Sequence, residues 1–110
     1  MATIDVTQVF SSMLGAAKAT LGAKWPKVKD FAEAEFEKLA RTLAQIETLK
    51  VTGQITEAEA SVLLQMQKNT ARAVMLTLEG MSLLLVEQAI NSALAMVRDT
   101  VNGAVGFALI

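Results

Sequence analysis

The residue types that most often carry out chemistry are largely missing from this sequence, and those that remain are carboxylates. Neither histidine nor cysteine occurs, which removes the usual general base, the Ser-His and Cys-His nucleophile pairs and most transition-metal sites. The sequence has no Walker loop, no dinucleotide-binding glycine pattern and no calcium loop. Carboxylate-rich helices can hold a di-iron centre, but those sites also use a histidine three residues after a glutamate. Glu33, Glu35 and Glu37 follow one another at intervals of two, so on a helix they point to different faces, as acids on a solvated helix do. Neither an enzyme nor a cofactor-binding protein is expected, and no small-molecule substrate is implied.

Three other features invite a functional reading. Glu79 is the one charge between Arg72 and Glu87 in the most apolar stretch, which makes it a candidate buried charge, with Lys27 or Lys29 as the expected partner. Trp25 beside Pro26 is expected to plug the end of a helical pair. Met66, Met75, Met81 and Met96 could line an adaptable groove, but methionine at helical spacing is more often core filler.

Composition sets the frame for these residues. The chain has 110 residues, 53% of them hydrophobic and 19% charged, with a net charge of -1, enough for one domain with a modest core. The balanced charge gives no positive field to draw it onto nucleic acid. The first residues carry Asp5 where a basic leader segment would begin, so a cytoplasmic location is the expectation. Charge-free stretches at 6–17 and 100–110 fall short of the ~20 apolar residues that a spanning helix needs.

Apolar residues recur at three and four from Ile4 to Leu21, which predicts a first helix over about 4–22. Pro26 suits a first helical position, and the stripe from Val28 to Leu49 predicts a second helix over 26–52. Gly53 followed by Thr56 and Glu59 reads as a helix stop and a capping box. Beyond it, no proline and only Gly80 interrupt residues 57–101. That predicts a single third helix about 68 Å long at about 1.5 Å per residue. Asn102-Gly103 is its natural stop, although the apolar tail over 102–110 could add turns beyond it.

The expected fold is therefore all-α: a single domain over 1–110, built as an antiparallel helical hairpin with a short N-terminal helix and a long C-terminal spine helix. A hairpin turning near residue 54 sets Ile46 against Leu63, Leu43 against Met66 and Phe36 against Ala73, with Glu37 beside Arg72. The far half of the spine, where residues 73–110 carry only Glu79, Glu87, Arg98 and Asp99, is apolar all round and must be surrounded. A break at Gly80 would close a four-helix bundle within one chain; a continuous helix requires other copies. The lack of turn chemistry around the glycine favours the continuous helix and an oligomeric helical bundle. Its expected interface comprises Met81, Leu84, Leu85, Ile90, Leu94, Val97, Val101, Val105 and Phe107. The leading reading is thus a non-enzymatic, self-assembling structural or interaction protein. The alternatives are a protein that lays its amphipathic helices on a lipid or membrane surface, and an adaptor that holds another protein's helix in a methionine-lined groove.

Overall fold

The computed structural model describes residues 3–110. Among these residues four α-helices follow one another: α1 (Val6–Leu21), α2 (Trp25–Val51), α3 (Glu57–Leu76) and α4 (Leu83–Val105), with a 3-10 turn at Gly22–Lys24. No strand occurs among the described residues. Asp5 caps α1 by accepting the Gln8 N–H, and Pro26 occupies the first turn of α2. Gly53, at φ 72°, ends the turn out of α2. Thr56 and Glu59 then close a complete capping box at the start of α3, satisfying two N–H groups that the helix itself leaves unpaired.

The expected spine helix is two helices. Residues 77–82 form a turn in which Gly80 has φ 82°, a conformation that costs any other residue. Ser82 then caps α4 through the Leu85 N–H. The Gly80 carbonyl also accepts a hydrogen bond from Lys24 Nζ at 2.5 Å, which ties this corner to the α1–α2 joint. Instead of a rod, the chain measures 42 × 22 × 19 Å, with a radius of gyration of 13.7 Å.

Each helix lies antiparallel to the next. The Ile4 N–H bonds to Glu47 near the end of α2, so α2 returns to the start of α1, and the Arg72–Glu87 ion pair joins α3 to α4 across their turn. The packing of α1 on α4 is the most extensive in the molecule and closes an up-down-up-down bundle. Its core runs through Met13, Phe36, Leu39, Leu43, Ile46, Met75, Ile90 and Val101, all fully buried.

The α2–α3 register differs from the expected one. The inward residues of α3 are Ala60, Leu64, Ala71 and Met75, whereas Met66 and Ala73, the expected partners of Leu43 and Phe36, are exposed. One residue of offset rotates a helix face by about 100°, so a slight misplacement of the turn moves the whole stripe. Glu37 accordingly pairs with Arg41 in its own helix, while Arg72 pairs with Glu87.

The last helix, α4, runs past its expected stop and takes up the first residues of the apolar tail. Asn102 and Gly103 lie inside the helix, which stops at Gly106 with φ 85°, a glycine in the left-handed cap position. Asn102 holds the tail instead: its Oδ1 accepts from the Leu109 and Ile110 N–H groups, each at 3.0 Å.

Candidate interaction surface

The residues assigned to an oligomer interface are mostly consumed inside the chain. Ile90, Leu94, Val97, Val101 and Val105 are all buried, because the break at Gly80 lets α4 fold back and lay this stripe on α1. Met81 and Leu85 are half-buried. Phe107 is half-buried too, with the Lys50 ammonium 5.8 Å from its ring centre, a cation–π contact. Of the nine residues, only Leu84 is exposed, at 68%, beside Leu83 on the first turn of α4.

Glu79 also departs from expectation, since it is exposed in the Gly80 turn. No ion pair joins it to Lys27 or Lys29. The buried carboxylates are Glu35, 3% exposed, and Glu47, 5% exposed. The spacing of two in the Glu33–Glu37 run does send these acids to different faces, but one of the faces is the core. Glu35 Oε2 meets Lys38 Nζ at 3.0 Å, and its Oε1 has no hydrogen-bond partner among the described residues.

Glu47 Oε1 accepts the Ile4 N–H at 3.0 Å, one residue ahead of the Asp5 cap, so two acids bracket the positive end of the α1 dipole. Replacing Glu47 by alanine leaves a buried N–H unpaired and should cost about 1–3 kcal/mol. Glutamine keeps an acceptor in place and should cost clearly less. Urea unfolding of both variants checks this, and equal losses would show that the hydrogen bond is not what Glu47 contributes.

Among the described residues, no three carboxylates converge where they could hold a metal ion. Trp25 is buried at the joint between α1 and α2. The methionines divide: Met75 is core, Met81 half-buried, and Met66 and Met96 exposed at 60% and 61%. No described helix is long and apolar enough to cross a membrane.

Large apolar side chains are exposed on three helices: Phe31 and Val51 on α2, Val62, Met66 and Leu76 on α3, and Leu83, Leu84 and Met96 on α4; those of α3 share one face. Residues two apart on a helix point about 200° apart, so Val62, lying between the inward Ala60 and Leu64, faces directly outward. Met66, Asn69, Ala73 and Leu76 follow it at intervals of four, three, four and three, the spacing of a coiled-coil seam. All five are exposed, Val62 at 57%. α3 thus carries two apolar stripes, one spent on the bundle core and one open.

Shallow hollows flank the open stripe. One of about 300 Å³ lies between α2 and α3, where Thr42, Leu49, Leu63 and Met66 are among its lining residues. Another of about 380 Å³ lies beside Ile55, Ala58, Glu59, Val62 and Leu63. Met66 lines the first of these depressions and Val62 the second. The hairpin register expected from the sequence turned Met66 inward against Leu43, because spacing alone does not decide which of two apolar stripes the core takes.

Comparison with known proteins finds no match: no family model fits the chain, and no curated protein and no solved structure matches it. Any functional reading therefore rests on the geometry of this surface.

Proposed function

We propose that this protein is a non-enzymatic helical interaction protein that self-associates, and that its contact surface is the outer face of α3. The observation that carries the reading is the open stripe of Val62, Met66, Ala73 and Leu76 around Asn69. Scattered single apolar residues are normal on a protein surface, but a contiguous row at coiled-coil spacing marks a contact site. The apolar face of α4, from which self-assembly was expected, is covered by α1, so the contact moves from the C-terminal helix to α3.

Size-exclusion chromatography with light scattering tests the proposal. The wild type should show a mass above 11.7 kDa at micromolar concentration, and Met66→Lys should return it to that mass. Because Met66 is largely exposed, this variant should keep the helical circular dichroism of the wild type. A wild type that stays monomeric defeats the proposal, and co-flotation of that monomer with liposomes would put a lipid surface in its place.

A further inference from the structure

At one end of the bundle the joint between α1 and α2 meets the turn between α3 and α4, and the Lys24 bond to the Gly80 carbonyl holds the two together. We infer that this end docks on a membrane surface bearing anionic lipid headgroups, with Lys24, Lys27 and Lys29 against the headgroups and Leu83 and Leu84 set into the acyl boundary. The inference does not rest on self-association.

The apolar part of the surface follows from the α3–α4 register, which the Arg72–Glu87 ion pair fixes. One helical turn nearer the Gly80 corner, Leu76 lies four residues after Arg72 and Leu83 four before Glu87, so the two come level, with Leu84 next in the chain. All three are exposed. They stand at an outer corner where two helices turn, away from the hollows beside Met66 and Val62. A fluid acyl boundary moulds itself around protruding leucines, whereas a folded partner would have to offer a matching socket.

The cations are placed on the same end by contact and by register. Lys24 Nζ binds the Gly80 carbonyl, three residues before Leu83, which uses one of its three donors and leaves two for a headgroup. Counting equally along α1 and α2 from the Ile4–Glu47 bond brings Lys29 level with Gly22, past the end of α1 at Leu21, and Lys27 lies nearer still to the end. Lys24, Lys27 and Lys29 are exposed, and none takes part in an ion pair among the described residues.

The acids at this end are Asp30 and Glu79, both exposed. With Lys18 in the last turn of α1, the lysines outnumber them. The opposite end, where α2 turns into α3, has the reverse balance: Asp5, Glu47, Glu57 and Glu59 against Lys50. A chain of net charge -1 is thereby polarised, and a negative surface orients it with the leucine-bearing end inward. Lysine stems lying along the boundary keep their ammonium groups at headgroup level while the leucines enter.

Flotation with vesicles of phosphatidylcholine alone, and with about one-third phosphatidylserine added, tests the inference. The wild type should float with the mixed vesicles several-fold more than with the neutral ones, and lose the difference when the Debye length shrinks from about 10 Å at 0.1 M salt to about 3 Å at 1 M. Each lysine near an anionic surface is worth about fivefold in partitioning, so Lys27→Gln with Lys29→Gln should lower binding to mixed vesicles roughly twentyfold. Leu83→Ser with Leu84→Ser should lower it about tenfold or more. All four positions are exposed, so both double variants should keep the circular dichroism of the wild type.

A wild type that floats with neither vesicle overturns the inference and leaves this end to an acidic protein partner. Equal flotation with both vesicles overturns the role of the headgroups, and flotation that either double variant keeps in full overturns the placement at this end. Light scattering without lipid reads self-association separately, so the two ideas fail independently.

Discussion

Aspartate in place of Phe36 should leave the chain without cooperative structure at room temperature. Phe36 is fully buried, the bulkiest of the side chains that are, and Ala32, Leu39 and Ala40 beside it on α2 are buried as well. Truncating a buried phenylalanine costs about 3–5 kcal/mol through lost transfer energy and the cavity left behind. A carboxylate placed there adds the penalty of burying a charge with no cation to meet it. The adjacent Glu35 already has one oxygen without a partner, so a second acid in the same helical turn adds repulsion. Domains of this size are stable by only about 5–15 kcal/mol in total, which the combined loss consumes. Far-UV circular dichroism and urea unfolding are the measurements. A cooperative transition close to that of the wild type would mean that Phe36 does not sit in the core as described.

Local signals in the sequence located local structure well. The hairpin turn after α2 was readable because Gly53, Thr56 and Glu59 act within one turn of the chain, and the capping box forms as their spacing requires. The joint at Trp25-Pro26 was readable for the same reason. The turn at Gly80 was missed because its signal is thin: one glycine, then a serine cap with no glutamate at the third helical position, set among leucines. A lone glycine costs a helix only about 1 kcal/mol, so the deciding term is long-range, the burial of the α4 stripe against α1. That term depends on where α1 lies, which no window of sequence contains.

The same distinction governs the surface. The stretch around Gly80 reads as apolar on every face and in need of cover, yet α3 and α4 resolve that need differently. In α4 Ile90, Leu94, Val97, Val101 and Val105 turn inward together. In α3 the inward stripe is held by the small residues Ala60 and Ala71 with Leu64 and Met75, which leaves Val62 and Met66 outside. The burial of Glu35 and Glu47 was equally hidden. Acids inside a core cannot be told from acids on a surface until the helix is rotated into place, and that rotation follows from a turn length that the sequence sets only to within a residue.

Substituting both Gly80→Ala and Ser82→Ala, in a Met66→Lys background that removes the α3 contact, should convert the bundle into an intertwined dimer. Alanine at φ 82° costs roughly 1–2 kcal/mol, and losing the Ser82 cap, which binds the Leu85 N–H at 3.2 Å, costs about 1 kcal/mol more. A Cβ at position 80 would also meet Lys24 Nζ at 3.0 Å, displacing the ammonium that ties this turn to the α1–α2 joint. Both alanines meanwhile favour a continuous helix from α3 into α4. Once straightened, α4 no longer reaches its own α1, but it reaches the α1 of a second copy and recovers there the contacts that close the bundle, as in domain swapping. The product should have twice the 11.7 kDa chain mass. It should also survive dilution, because separating the copies requires stripping α4 from α1, whereas an assembly held only by the proposed α3 contact should dissociate. Light scattering before and after dilution distinguishes them. If the variant remains a monomer as stable as its Met66→Lys parent, the Gly80 turn is not what holds α3 and α4 apart, and the closure of the bundle within one chain must come from the docking of α4 on α1 alone.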